Sequence, residues 1–219
     1  MDYAYKKLKQ KYDSECDENA TGVCLRLQRA LSWLKRAEMC DDIECRFINL
    51  WISFNAAYAQ ETRMAQLSDG QQYNDFIRHI VSVDVDHQLH QYLWRSFSQT
   101  IRVLLDNHFV FQPFWGYQNG LEGYEDWQES FIKAKHSAHL AIMNKDTSLV
   151  LSIIFSRLYT LRNQVIHGGI TWGGECTQQQ FHDAAKLLGD LVPMLLQIMI
   201  EHPNQMWGEP SYRLKRAAN

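Results

Sequence analysis

Proline and glycine are scarce. The 219-residue chain has 4 Pro and 11 Gly, too few to punctuate a sandwich or barrel of many short strands. No C-x-x-C pair occurs, and the five cysteines (Cys16, Cys24, Cys40, Cys45 and Cys176) are scattered and odd in number. That pattern does not support a zinc ribbon and reads as free thiols in a reducing compartment. Basic charge is not in surplus either: 22 Lys and Arg stand against 25 Asp and Glu, a net charge of -3. A broad surface that tracks a nucleic-acid backbone must neutralise many phosphates, so the balance argues against one while leaving room for a small local phosphate site. The strongest apolar runs, 149–155 and 191–200, fall far short of the ~20 residues that cross a bilayer. Residues 1–12 carry Lys6, Lys7, Lys9 and Lys11 and lack the apolar centre of a secretory leader. The expectation is a soluble, cytoplasmic protein with no membrane partner and no cofactor.

What is present is helical pattern. Hydrophobic residues make up 46% and charged residues 21%, ordinary for a globular protein and incompatible with wholesale disorder. Thr21 reads as the cap of a helix to about Cys40, with Val23, Leu27, Ala30, Leu31 and Leu34 on one face and Arg26 and Arg29 off it. Asp41 and Asp42 cap a second helix over about 43–63. Its Phe47, Trp51, Phe54 and Tyr58 follow at steps of four, three and four, an aromatic stripe of the kind that builds a core. Ser68-Asp69-Gly70 reads as a loop, 73–80 as a short helix, and Asp84 or Asp86 as the cap of a helix reaching about Asn107. Residues 109–127, rich in rings and interrupted by Pro113, Gly116, Gly120 and Gly123, read as an ordered loop laying aromatics on the bundle, with base stacking as the alternative. A helix over 125–143 follows. The next begins after an Asp146 cap and ends at Gly168-Gly169, where glycine supplies a left-handed cap. The last long helix spans about 177–200, with a kink or break expected at Pro193. Three parts result: an N-terminal extension (1–20), a helical bundle (21–200) and a loosely held basic tail (201–219) with Arg213, Lys215 and Arg216.

Chemistry concentrates at the end of the helix before Gly168. Residues 149–161 are almost wholly apolar and read as buried apart from Arg157; the last turns then carry Arg162, Asn163 and His167. Polar groups closing an apolar helix need partners, which suggests a pocket or an interface. Asn163 and His167, four apart, share a face. Arg162 and His167, five apart, are separated by roughly 140° around the axis. An imidazole in the last turn, beside a fixed guanidinium, suits acid–base chemistry on a phosphodiester.

The run Arg162-Asn163-Gln164-Val165-Ile166-His167 resembles the Arg-(polar)-x(3)-His signature of HEPN domains, and like it closes a long helix. The segment Trp51-Ile52-Ser53-Phe54-Asn55-Ala56-Ala57-Tyr58 resembles the Trp-x-x-Phe-Asn-Ala-x-Tyr helix of one bacterial branch of that family. Together with the helix over 177–200, the resemblance covers about residues 21–200. It implies an all-α, up-and-down bundle of about six to seven helices that forms a homodimer. For many members it also implies metal-independent endoribonuclease activity. In that scheme His167 exchanges protons with the ribose 2′-OH and the leaving oxygen, Arg162 holds the phosphate, and Asn163 orients His167 or contacts the phosphate. Many such proteins serve toxin–antitoxin or phage-defence systems, which would make RNA, and an antitoxin or other neighbouring-gene protein, the partners. The alternative is a non-catalytic HEPN module that binds a nucleotide, RNA or a partner protein through the same residues. Toxins of the branch paired with nucleotidyltransferases carry a Tyr two residues after the His. Gly169 stands there in this chain, so modification of such a Tyr is not expected.

Other residues receive plainer readings. Asn55, within the aromatic stripe helix, is expected to brace the motif helix through hydrogen bonds. The pairs His87/His90 and His136/His139 have a spacing that can hold a metal on a helix, but no third ligand is evident and no metal is expected. Lys6 to Lys11 read as solvated surface.

Overall fold

The computed structural model describes residues 4–16, 22–60, 68–96 and 100–212, the side chains of 69 and 175–177 aside. It is all-α: ten α-helices and one 3-10 turn among the described residues, with a lone antiparallel bridge between Gln60 and Pro210. In chain order the helices are α1 (Ala4–Glu15), α2 (Gly22–Glu38), α3 (Ile43–Tyr58), α4 (Asp69–Val83), α5 (Gln88–Ser96) and α6 (Arg102–Asp106), then the 3-10 turn His108–Val110. After it come α7 (Gln112–Gln118), α8 (Trp127–Met143), α9 (Thr147–Ile166) and α10 (Glu175–Glu201). None is long and apolar enough to cross a membrane.

The aromatic stripe of α3 organises the core. Phe47, Trp51, Phe54 and Tyr58 are all buried. Phe54 stacks on Phe155 of α9 with ring centres 4.1 Å apart, Trp51 lies 6.0 Å from Tyr159, and Phe47 lies 5.7 Å from Phe181 of α10. Helix α3 therefore sits between α9 and α10, with α2 along its other side. Asp42 starts α3 by accepting the Cys45 amide at 2.7 Å, the expected N-cap. The helix stops at Tyr58 rather than near 63, because Ala59 turns to extended backbone.

Several expectations are corrected. Within the N-terminal extension, residues 4–15 form a helix that packs on α2 and α10 and buries Leu8; Lys11 pairs with Glu201. Cys16 and Cys24 are disulfide-bonded, with Cα atoms 5.8 Å apart, against the expectation of free thiols; Cys40 and Cys45 are free. Ser68-Asp69-Gly70 is the cap and first turn of α4, because Ser68 and Gln71 form a reciprocal capping box. Of the two candidate caps, Asp84 acts: its carboxylate accepts the amides of Gln88 and Leu89 at 3.0 and 2.9 Å. Helix α5 is described as far as Ser96, and π-helical backbone at 100–101 leads into α6; residues 97–99 of the helix expected up to Asn107 lie outside the described residues. Of the kink or break expected at Pro193, the break does not occur: α10 continues through it. The expected Thr21 cap lies outside the described residues.

The segment 109–127 is more regular than a loop. It closes the 3-10 turn and contains α7, which Pro113 opens at a position where its missing N–H costs nothing. Gly116 is obligatory there, since a Cβ would meet the Tyr124 ring at 2.5 Å. The rings pack mainly on one another. Phe114 is the centre, 4.9–5.6 Å from His108, Phe109, Trp115 and Trp127.

Residues 202–212, after α10, are held rather than loose. Trp207 is buried and donates to His202 O at 2.9 Å. Arg26 anchors this segment from beneath. It is wholly buried, not off the core face as expected, and donates to Ala57 O (2.8 Å), Ala59 O (3.0 Å) and Gly208 O (3.2 Å). One guanidinium thus caps the end of α3 and ties down the C-terminal segment. Burial lowers its pKa to about 10, so it stays cationic near neutrality. Arg213, Lys215 and Arg216 lie outside the described residues.

Candidate functional site

Helix α9 delivers the motif. Asp146 caps its start, accepting the Leu149 amide at 3.0 Å. Val150, Leu151, Ile154, Phe155, Leu158 and Leu161 bury its body. Its end is a Schellman-type stop: Gly169 N–H donates to Gln164 O at 2.7 Å and Gly168 N–H to Val165 O at 3.0 Å. Gly168 makes this possible at φ +69°, a conformation that strains a residue bearing a Cβ.

The structure joins two of the three motif residues. Arg162, half-buried, donates from Nη1 to Asn163 Oδ1 at 2.8 Å, and its guanidinium carbon lies 5.8 Å from the centre of the Tyr159 ring. His167 is the C-cap residue and is exposed; its ring hydrogen-bonds to neither Arg162 nor Asn163. Within one chain Asn163 therefore orients the arginine, not the histidine. Two flanking contacts hold the helix end. Gln164 Nε2 donates to Phe109 O at 2.7 Å, and Trp115 Nε1 donates to the same oxygen at 2.6 Å, which ties the aromatic segment to the motif. Beyond Gly168, the Trp172 indole donates to Asp42 Oδ2 at 2.9 Å, fastening the following turn to the start of α3. The Cys45 amide, then the Trp172 indole, hold the Asp42 carboxyl below its usual range.

Two grooves adjoin these contacts. One, of about 430 Å³, runs past Phe109, with Asp183 and an Asp106 that is ion-paired with Lys135 and Arg102 on its walls. The other, of about 360 Å³, carries Asp41, Asp42 and Glu44; Gln179 borders both. Among the described residues no Lys or Arg lines either groove, and Arg162, Asn163 and His167 stand outside them. Asn55 does not brace the motif: its Oδ1 is buried without a hydrogen-bond partner. Neither His pair gathers further ligands, since no cluster of three His, Cys, Asp or Glu occurs among the described residues.

Arg157 is the residue that sequence reasoning missed. Its charge predicts the exposed exception on α9, yet it is only 2% exposed. Its guanidinium carbon lies 4.1 Å from the Phe111 ring centre and 5.2 Å from that of Phe131. The signal is in the spacing: 157 falls with 150, 154 and 161 on the buried stripe.

No family model, no curated protein and no solved structure matches this chain.

Proposed function

We propose that the protein is a HEPN-type, metal-independent endoribonuclease that works as a homodimer, with Arg162 and His167 as its catalytic residues. The reading rests on one observation: a largely buried helix ends by presenting, within its last two turns, an oriented guanidinium and an exposed imidazole. In this scheme His167 takes the proton from a ribose 2′-OH as it attacks the adjacent phosphorus, and the 5′-oxygen leaves with a proton returned to it. Arg162, steered by Asn163, holds the phosphate and stabilises the charge that builds on its oxygens. Dimerisation is supported by the exposed apolar side chains on either side of His167: Ile166 is 53% exposed and Trp172 80%. The cytoplasm belongs to this reading as the compartment of the RNA it would cut, and the Cys16–Cys24 bond, a feature of oxidising compartments, takes no part in the scheme. A role in toxin–antitoxin or phage defence, with a neighbouring-gene protein as restraint, follows from the same resemblance.

The groove of Asp41, Asp42 and Glu44 favours a second reading, a non-catalytic module whose partner is a basic protein surface, since its carboxylates repel a polyphosphate. Incubation with mixed RNA separates the two. The nuclease reading predicts cleavage that persists in excess EDTA, because Arg162 supplies the positive charge. Strict dependence on a divalent ion overturns the mechanism, and intact RNA throughout favours the binding module.

A further inference from the structure

We propose that the cavity between α8 and α9 is a binding site for a small organic carboxylate, held end-on by Arg157. The cavity, about 210 Å³, is lined by Phe111, Ala134, Ser152, Ile153, Ser156 and Arg157. None of these belongs to the Arg162–His167 motif.

Arg157 is a buried cation with unmet demands. Both terminal nitrogens, Nη1 and Nη2, are sealed from water and have no hydrogen-bond partner. Burial lowers its pKa to about 10, and no carboxylate among the described residues acts on it; it is nonetheless cationic at neutral pH. The Phe111 and Phe131 rings satisfy the guanidinium face, but a ring on the face does nothing for N–H donors at the edge. Charges buried this deeply are ordinarily paired, because an unpaired one forfeits its hydration without return. The missing partner is an anion that reaches Nη1 and Nη2 together.

The shape of the deficit selects the anion. Two parallel N–H donors on one edge match the two oxygens of a carboxylate. One guanidinium balances one negative charge, and no Lys or second Arg lines the cavity to balance a phosphate dianion. Ala134, Ile153 and Phe111 offer walls to an apolar body, while Ser152 and Ser156, one helical turn apart, offer hydroxyls beside the carboxylate. A polymer's phosphate does not suit so small a recess. Access comes through Phe111, half-buried and outside helical backbone (φ -106°, ψ 113°) between the 3-10 turn and α7. Since Nη1 and Nη2 are sealed, the proposal requires the Phe111 ring, 4.1 Å from the guanidinium carbon, to move aside as the ligand enters.

Calorimetric titration of the intact protein with benzoate, its neutral isostere benzamide, and inorganic phosphate tests this. Benzoate is expected to bind saturably, with a Kd on the order of 1 mM. Benzamide and phosphate should each bind at least about tenfold more weakly. Arg157→Met, which keeps the stem and removes the fork, should weaken benzoate by about tenfold or more while the helical circular dichroism is retained. Comparing benzoate with benzamide on the unaltered protein decides the matter even if that variant fails to fold. The proposal is overturned if benzamide or phosphate matches benzoate, or if Arg157→Met binds benzoate undiminished. Absence of saturable benzoate binding up to about 10 mM overturns it as well.

Discussion

Trp51→Ala is expected to lower the unfolding free energy by about 3–5 kcal/mol, measured by urea denaturation. Against a total of about 5–15 kcal/mol for a typical domain, that removes a large part of the fold's margin. The reason is position. Trp51 is 2% exposed and its indole lies 5.6–6.4 Å from the rings of Phe54, Phe155 and Tyr159. Its Nε1 has no hydrogen-bond partner, so the loss is packing and the cavity left behind, with no broken polar contact to add. Because the indole joins α3 to α9, the damage reaches the helix that carries the motif. A loss below about 1 kcal/mol would show that α3 is not the keystone of the bundle.

His167→Ala should behave in the opposite way, losing about 10²–10⁴-fold in RNA cleavage while unfolding within about 0.5 kcal/mol of the parent. The imidazole is exposed and makes no hydrogen bond to Arg162 or Asn163. Arg162→Ala gives up one hydrogen bond and a contact with Tyr159. It should cost about 1 kcal/mol in stability but about 10²–10³-fold in cleavage. Since Arg162 pairs with Asn163 and not with His167, the working site is expected to join the Arg162 of one chain to the His167 of its partner across a two-fold axis. Mixed dimers of the two variants then contain one site with both groups intact, and should recover part of the activity that each variant alone lacks. Verified heterodimers as inactive as their parents would assign the pair to a single chain. An Arg162→Ala that unfolds like Trp51→Ala would make the arginine a structural cap.

Much of the fold is legible in the chain because helices advertise themselves by period. The aromatic stripe of α3, the Asp42 and Asp146 caps and the glycine stop after His167 each combine a local chemical signal with a hydrophobic repeat, and all stand in the structure. The misreadings share a cause: residue type outweighs position in each. Arg26 and Arg157 fall on the buried stripes of α2 and α9, and both are buried. What surrounds each charge is tertiary and has no local trace: three backbone carbonyls accept from Arg26, and two aromatic rings cover the face of Arg157. The Lys-rich start likewise hides an amphipathic helix whose Leu8 faces the core. The disulfide is not readable from an odd count of cysteines, since spacing does not disclose which thiols meet. At the candidate site, the positions of Arg162, Asn163 and His167 on α9 are visible in the sequence, but their pairing and the grooves beside them are not.

The most direct test of the Arg162–His167 assignment is the chemistry of the cut ends. A short RNA of defined sequence, incubated with the purified protein in excess EDTA, is analysed by mass spectrometry. Attack by the 2′-OH leaves a 2′,3′-cyclic phosphate, or the monophosphate from its hydrolysis, on the upstream fragment and a 5′-hydroxyl on the downstream one. These products should form with the parent and be lost with His167→Ala. A 3′-hydroxyl with a 5′-phosphate, or equal cleavage by His167→Ala, contradicts the assignment.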